Sequence, residues 1–445
     1  MEKAELLTGV PALLIQRLAH GYAKAQKAQL CWTLGITEHH NGTDNVFSLI
    51  NLALLCGHVG KYGSGIVPLR GQNNVQGGGD MGAIPNKLPG FQDIETDLEA
   101  RKRFENAWGV SIPAKKGMHL AQMFEAMERG DLRTLYVIGE NPVQSEADSK
   151  RTVALLKGLD HLVVQDIFLT KTAELATVVL PAAADWAEAE GTVTSSERRV
   201  QRIRKALDPP GQARSDVEII CDLARLMGHD WGHPSAEEVW NELRSLSPMH
   251  AGMSYKRLEE LGGIQWPCKD EDDPGQQFLH ARLWKTPLEG PPAPFTPVEY
   301  EPPRDSLTKE FPLRLTTGRR LDSYNTGVQS GGYSSPLRHG ETINLSPKDA
   351  SELGVVEEEL VSITSRRGTI QAPVHIDNTL RSGLAFMTMH FPDEIDTNTL
   401  TIDAWDLKSG TSEFKATAIR VEKLKPQALN PQAKDGQVSA GEALI

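Results

Sequence analysis

The sequence has few cysteines: four occur among 445 residues, at Cys31, Cys56, Cys221 and Cys268. They form neither a C-x-x-C pair nor a ferredoxin-like run, so this chain by itself is not expected to bind an iron–sulfur cluster. We expect them to be reduced, structural cysteines, as is usual in the cytosol.

Long apolar runs and an excess of positive charge are also absent. No apolar run approaches the roughly 20 residues that span a bilayer, so no direct membrane insertion is expected. Residues 1–5 show neither a basic segment before an apolar core nor a twin arginine, which predicts a cytoplasmic location. The net charge of −12 argues against nucleic-acid binding, because the phosphates would be repelled.

Short apolar strands and amphipathic helices alternate in the first half of the chain. The predicted helices cover residues 11–28, about 43 to 57–60, 119–129 and 149–159. The predicted strands cover residues 30–36, 135–138, 162–164 and 178–180. This alternation predicts an α/β fold whose parallel sheets are covered by helices on both faces.

The second half changes character. Residues 267–310 are rich in proline and charge and predict a linker. Beyond it, Ser346 and Gly354 are typical of the start and end of a short helix. Alternating strands on either side of residues 366–368 predict a hairpin in a small β-barrel, and the polar residues 425–445 predict a disordered tail.

Polar loops follow three of the predicted strands, at residues 37–42, 139–142 and 165–168. Ligands of open parallel sheets bind outside the carboxyl ends of the strands, where these loops fall. Ordinary solvated turns are an equally good explanation.

Residues 67–82 combine several glycines with Arg70. Glycine lets backbone approach a ligand closely, and the arginine fork fits a carboxylate or phosphate, so an anion site is one interpretation. A glycine-rich surface loop with a salt-bridged arginine is the other. Neither G-x-G-x-x-G nor a P-loop motif is present, which excludes a standard NAD or ATP site.

Eight short segments occur in a characteristic order: residues 35–39, 42–45, 70–77, 139–142, 165–170, 190–194, 197–201 and 264–267. Over residues 11–423 this order resembles the formate dehydrogenase catalytic subunits of the molybdopterin oxidoreductase (DMSO reductase) family. The Arg-Gly-Gln-Asn-Asn stretch at 70–74 favours formate dehydrogenases over nitrate or sulfoxide reductases within that family.

The resemblance implies parallel-sheet αβα domains followed by a C-terminal double-psi-like β-barrel. The implied division is residues 1–72 in one cofactor-binding αβα domain, 73–266 in a second, 267–310 as linker, 311–424 as barrel and 425–445 as tail. The implied cofactor is a molybdenum or tungsten ion held by two molybdopterin guanine dinucleotides.

The resemblance also implies site residues, and Arg70 would orient the formate carboxylate beside the metal. Asp166, Thr170 and Asp216 would contact a guanine or ribose. Leu34 and Glu38 would line the pterin pocket, although Glu38 replaces a glutamine expected in some members. The other implied cofactor-binding residues are Gln72, Gly139, Asn141, Arg319, Asn325, Asn398 and Lys415, of which the last four belong to a second dinucleotide site.

Two residue pairs are ambiguous. Arg198 and Arg199 either bind a phosphate or form a solvated charged face. His39 and His40 have no third ligand at a suitable spacing, so metal binding is the less favoured interpretation and no metal ligand is assigned.

The family's four cysteines for a 4Fe-4S cluster, and its metal-ligating cysteine or selenocysteine, are expected upstream of the matched region. The expected partners are therefore formate or carbon dioxide and a missing N-terminal half or a separate iron–sulfur, electron-transfer subunit. Without that segment the first half is expected to expose apolar surface. The alternatives are a non-catalytic cofactor-binding or scaffold protein and a decayed or truncated paralogue.

Overall fold

The computed structural model describes residues 1–320, 323–326 and 340–424. The predicted tail at 425–445 lies outside the described residues. The helices are α1 (Glu2–Thr8), α2 (Ala12–Lys24), α3 (Leu34–Thr37), α4 (Gly42–Leu55), α5 (Val75–Asp80), α6 (Leu98–Trp108), α7 (Leu120–Glu128), α8 (Pro142–Ser145), α9 (Ser149–Lys157), α10 (Asp185–Glu188), α11 (Asp216–Leu226), α12 (Ala236–Leu246), α13 (Tyr255–Glu260) and α14 (Pro347–Leu353). Within the described ranges, no helix has the length and apolar character needed to cross a membrane.

The strands form two parallel sheets, two small antiparallel sheets and a closed barrel. They are β1 (Gln29–Trp32), β2 (Gly65–Pro68), β3 (Lys87–Leu88), β4 (Gln92–Asp93), β5 (Thr134–Ile138), β6 (His161–Asp166), β7 (Val178–Pro181), β8 (Gly191–Thr194), β9 (Arg199–Ile203), β10 (Ile264–Gln265), β11 (Leu313–Gly318), β12 (Ile343–Leu345), β13 (Leu360–Thr364), β14 (Thr369–Ile376), β15 (Leu384–Thr388) and β16 (Thr417–Lys423).

The central parallel sheet has the order β5-β6-β7. Helices α7 and α9 pack on it through a core that includes Phe124, Leu156 and Val164. The apolar runs and amphipathic segments of this region therefore give the predicted strands and helices, and the mixed α/β fold with parallel sheets is confirmed.

The first parallel sheet contains only β1 and β2. The predicted strand at 30–36 is too long, because its partner β2 ends at Pro68, opposite Trp32. Beyond that point the chain turns into α3, whose closing hydrogen bond runs from the Glu38 amide to the Leu34 carbonyl (2.9 Å).

Helix coverage of this first sheet is incomplete, which corrects the prediction of two covered faces. Neither α1 nor α2 has a buried residue. Leu6 is 85% exposed, and Leu18 and Leu55 are each 75% exposed. The expected exposure of apolar surface in the first half is thus confirmed.

The glycine-rich segment is only partly a loop: residues 69–74, which include Arg70, are irregular, whereas residues 75–80 form α5. Asn74 has a left-handed backbone (φ 61°), and its Oδ1 accepts a hydrogen bond from the Thr194 amide (2.9 Å). A Cβ added to Gly77 would lie 1.9 Å from that same Oδ1. Gly77 is therefore required by packing within the fold and not by contact with a ligand.

The predicted linker at 267–310 is an ordered segment that packs against α4. The Trp284 indole donates to the Val59 carbonyl (2.6 Å), and Asn51 exchanges two hydrogen bonds with the Thr296 backbone (2.7 and 3.0 Å). At its end, Asp305 is buried in the barrel and pairs with Arg367 (2.6 Å). Residues 284–305 thereby connect α4 and the residues just after it to the barrel.

The barrel closes in the order β11-β15-β12-β14-β13-β16. Leu315, Ile343, Ile363 and Met387 are fully buried in its core. The predicted short helix is confirmed as α14: Ser346 caps it by accepting from the Asp349 amide (3.1 Å), and Gly354 ends it with φ 67°. The predicted hairpin is confirmed as β13 and β14.

Candidate cofactor-binding site

A cavity of about 650 Å³ lies where the carboxyl ends of β5, β6 and β7 face the loops that follow β11 and β15 of the barrel. Ten of the predicted site residues line it: Glu38, Gln72, Gly139, Asn141, Asp166, Thr170, Asp216, Arg319, Asn325 and Asn398. The resemblance assigns these residues to the pterin pocket and two dinucleotides, whereas the structure gathers them around one cavity.

One wall of the cavity is acidic. Burial raises the pKa of Asp166 above its usual range, against the opposing effect of hydrogen bonds from the Phe168 and Ile167 amides. Burial, and then repulsion from Asp216, raise the pKa of Asp185 from 3.8 to about 6. Gln165, which is fully buried, donates to Asp216 Oδ1 (2.5 Å) and accepts from the Tyr136 hydroxyl, which fixes the Asp216 carboxylate.

Two acceptor atoms of the cavity residues are unsatisfied. Asp185 Oδ1 and Asn325 Oδ1 are buried and have no hydrogen-bond donor in the described part of the chain. An unpaired buried acceptor costs about 1–3 kcal/mol, so both atoms favour a ligand that brings N–H donors. A guanine base has adjacent N–H donors on its Watson–Crick edge and matches such a wall.

Asn141 and Asn398 line the cavity, but their amides are used within the protein. Asn141 donates to Gln144 (2.7 Å) and accepts from Thr172 (2.8 Å). Asn398 donates to the backbone carbonyl of Gln144 in α8 (3.1 Å) and thereby connects the segment after β15 to that helix. Both side chains shape the cavity wall.

The cationic groups near the cavity are Arg319 and Lys415. Arg319 lines the wall directly. Lys415 does not line the cavity. It pairs with Glu38 (3.0 Å) and donates to the Thr317 carbonyl (2.8 Å). The Lys415 ammonium therefore orients Glu38, which itself faces the cavity.

Leu34 and Arg70 are not brought to this cavity. Leu34 is the first residue of α3. Arg70 is exposed, and its Nε donates to Gln76 (3.2 Å). Gln76 donates in turn to Asp80 (2.8 Å), which also accepts from the Trp266 indole (2.8 Å). This chain of contacts holds the Arg70 side chain at its Nε, while its two Nη groups make no hydrogen bond to any described residue.

The two ambiguous pairs have structural partners. Arg198 stacks on Trp266, 5.2 Å from the ring centre, and donates to the backbone of Gln276 and Gln277, so neither interpretation of this residue holds. His40 is buried between Glu413 (3.2 Å) and Glu301 (3.3 Å). The described residues contain no group of three metal-ligating side chains.

Sequence reasoning missed Asp185 and Trp186, which line the cavity just after β7. Both residues follow the strand predicted at 178–180, and ligands of parallel sheets bind at the carboxyl ends of the strands. Asp185 and Trp186 were therefore identifiable from the sequence by this rule. A second cavity of about 510 Å³ shares Gln72, Asp185 and Trp186 with the first and continues toward Asn74 and Thr192.

Comparison with protein families gives two matches. The model described as "Molybdopterin oxidoreductase" matches residues 9–226, and the one described as "Molydopterin dinucleotide binding domain" matches residues 313–418. Together with the fold and the cavity between these two regions, the matches show that the chain belongs to the molybdopterin oxidoreductase family, a class of redox enzymes.

Within that class, the chain is similar to formate dehydrogenases. It is 42% identical over 429 residues to F420-dependent formate dehydrogenase 2 subunit alpha of Methanococcus maripaludis, covering 95% of this chain and 62% of that protein. It is 35% identical over 432 residues to formate dehydrogenase H of Escherichia coli, covering 96% of this chain and 60% of that protein. The chain thus spans about three fifths of the length of these relatives.

A solved structure supports the fold. Acetylene hydratase from Pelobacter acetylenicus superposes with a TM-score of 0.66 at 17% identity, over 95% of this chain and 64% of that one. The shared α/β and barrel architecture therefore extends across nearly all of the present chain.

Proposed function

We propose that this chain is the C-terminal, cofactor-binding portion of a formate-oxidising enzyme, and that its cavity holds the guanosine end of a molybdopterin guanine dinucleotide. The observation that carries the proposal is the acidic wall at the carboxyl ends of β5–β7, together with two buried acceptors that have no donor among the described residues: Asp185 Oδ1 on that wall and Asn325 Oδ1 on the barrel side. The donors of guanine satisfy those acceptors, and Arg319 supplies a cation for the phosphates.

When bound, the molybdenum or tungsten pterin would supply the two-electron acceptor that formate oxidation to carbon dioxide requires. The residues of this chain bind and orient. Asp166, Asp185 and Asp216 accept from the base, and Arg319 offsets the phosphate charge. Lys415 orients Glu38, and Gln72 lies between the two cavities.

Arg70 is proposed to hold the substrate carboxylate. Its Nη donors make no hydrogen bond to the described residues, while Gln76 fixes its Nε, so the fork is oriented and available. A bidentate contact would aim the formate C–H bond in one direction and lower the entropic cost of the reaction. The proposed partners are an iron–sulfur segment or subunit that accepts the electrons, because electrons taken from formate must leave the site.

Nucleotide selectivity tests the cavity directly. GDP titrated calorimetrically into the purified chain should bind at least tenfold more tightly than ADP, since adenine lacks the N1–H and exocyclic amine of guanine. Asp216→Asn should reduce this preference, because the amide offers one acceptor where the carboxylate offers two.

Asp272→Asn is the matched control, since Asp272 is an exposed aspartate outside the cavity. It should leave GDP affinity unchanged. Equal binding of GDP and ADP, or no binding of either, would contradict the proposed guanine site.

A further inference from the structure

We infer that His390, which lies outside the cavity wall, is a positioning residue that fixes the nucleotide-binding loop after β11. The described part of this loop comprises Arg319, Arg320 and residues 323–326, and is here termed the β11 loop. Four of its residues line the cavity: Arg319, Tyr324, Asn325 and Thr326. The inference rests on the proposed function for its effect on nucleotide binding, but its structural part stands independently.

The register of the barrel brings His390 to this loop. Strands β11 and β15 are parallel neighbours, and Gly318 pairs with Thr388 at their ends. Arg320 and His390 each follow that last pair by two residues, so they lie side by side at one rim of the barrel. Arg319 and Met389 face the cavity. Each of them directly follows its residue of the last pair and precedes Arg320 or His390.

Each ring nitrogen of His390 contacts the backbone of a different described part of the β11 loop. Nε2 lies 2.9 Å from the backbone nitrogen of Arg320, and Nδ1 lies 2.7 Å from the backbone oxygen of Asn325. The ring is fully buried. One imidazole therefore contacts the backbone next to Arg319 and the backbone of Asn325, and both of these residues line the cavity.

These two partners assign the state of the ring. A backbone N–H can only donate, so Nε2 must be the unprotonated acceptor. A carbonyl oxygen can only accept, so Nδ1 must carry the hydrogen. Only the neutral Nδ1–H form satisfies both contacts at once.

The two contacts of His390 with the β11 loop are here termed the clamp. The residues on either side of these contacts are also hydrogen-bonded. The His390 amide donates to the Thr388 hydroxyl (3.2 Å), and Thr388 donates to the buried Glu341. On the other side, the Arg320 guanidinium donates to Asn344 Oδ1 and to the Thr342 hydroxyl (2.9 Å each). Arg320 is thus held at both its backbone and its side chain, which leaves Arg319 directed at the cavity.

Amide hydrogen exchange on the full chain tests the clamp without any ligand. Three variants separate the two contacts. His390→Phe removes both, His390→Gln retains an acceptor near the Nε2 position, and His390→Asn retains a donor near the Nδ1 position. The Arg320 amide should be protected in the wild type and in His390→Gln, and should exchange at least tenfold faster in His390→Phe and His390→Asn.

GDP titration of the same proteins tests the consequence for the site. Affinity should fall about tenfold in His390→Phe and by about two- to fivefold in each amide variant, in line with the loss of one or two modest hydrogen bonds. His375→Phe is the matched control, because His375 is a barrel histidine with a half-exposed ring that pairs with Glu357 (2.8 Å). It should change neither measurement.

The outcomes separate the two claims. An equal exchange rate of the Arg320 amide in all the proteins would overturn the clamp. Faster exchange of this amide in His390→Gln, together with its protection in His390→Asn, would overturn it as well. Unchanged GDP affinity in His390→Phe, despite faster exchange, overturns the role of the clamp in the site. Absence of GDP binding by the wild type counts against the proposed function alone, and the exchange pattern then still decides the clamp. If His390→Phe fails to fold, the contrast between the two amide variants is sufficient.

Discussion

At the scale of single residues, Arg70 combines an oriented guanidinium with terminal donors that have no hydrogen-bond acceptor among the described residues. In an enzyme assembled with its upstream segment, Arg70→Ala should lower formate-dependent dye reduction by at least a hundredfold while molybdenum or tungsten content stays unchanged. Arg70→Lys should recover little activity, because an ammonium cannot make the bidentate contact. Arg129→Ala is the control, as Arg129 is an exposed arginine paired with Asp131 (2.8 Å). Equal turnover in the wild type and Arg70→Ala would remove Arg70 from the substrate site.

Asp185 gives a pH-dependent prediction at the same scale. Its pKa is raised in the folded chain from 3.8 to about 6, so the stability it contributes when protonated is complete below pH 4 and is lost as pH rises through 6. Asp185→Asn should therefore raise the melting temperature of the ligand-free chain at pH 7.5, and this difference should vanish near pH 4. Melting curves between pH 4 and pH 7.5 test this prediction. An increase in melting temperature at pH 4 equal to that at pH 7.5 would contradict the raised pKa of Asp185.

Single residues were predictable from sequence where one motif decides their place. The strand-end rule and the family resemblance identified Asp166 and Asn141, and the resemblance alone identified Asn325. The structure places all three on one cavity, whereas the resemblance assigned Asn325 to a second dinucleotide site. Arg198 could not be placed in this way, because its partners are backbone carbonyls 78 and 79 positions away. Local sequence carries no signal for such contacts.

At the scale of elements, α4 is capped by the barrel and not by its own sequence. Thr43 and Asp44 resemble a cap pair in the sequence, but the helix begins at Gly42 and its N-cap Asn41 makes no side-chain hydrogen bond. The Thr43 amide instead donates to the buried Asp406, 363 residues away (2.6 Å). Although burial opposes it, the backbone donors of Thr43, Lys408 and Ser409 lower the pKa of Asp406, so its carboxylate is the stabilising form.

Asp406→Ala should lower the free energy of unfolding by about 1–2 kcal/mol, the usual cost of a lost cap, and should also raise hydrogen exchange in the first turn of α4. Its effect should shrink as pH falls through the depressed pKa of Asp406. The comparison is Asp97→Ala, which removes a cap within α6, where Asp97 accepts from the Ala100 amide (2.9 Å). That variant should cost similar stability in urea melts without affecting α4. Faster exchange of α4 in both variants would argue against a cap supplied by the barrel.

At the scale of the whole molecule, the barrel and the first domain differ in how completely their apolar residues are buried. The barrel core was largely predictable, because alternation along β13 and β14 assigns one face to the interior. The first domain was not, because amphipathic periodicity in α2 identifies an apolar face without showing what covers it. In the described residues that face remains exposed, and the relatives extend well beyond the length matched here.

The exposed apolar residues lead to a prediction that compares them with a buried apolar residue. Leu18→Glu and Leu55→Glu should each change the free energy of unfolding of the isolated chain by less than about 0.5 kcal/mol, because these side chains bury little surface, and should reduce binding of a hydrophobic dye. Phe104→Ala, at a fully buried position, should cost about 3–5 kcal/mol by the same urea melts. A large loss in the leucine variants would show that the face is already packed in the isolated chain. In native material from the source cells, the species detected by an antibody against residues near Ala443 should be larger than this chain alone and should bind less of the dye, because an exposed apolar patch marks a surface that another polypeptide segment covers.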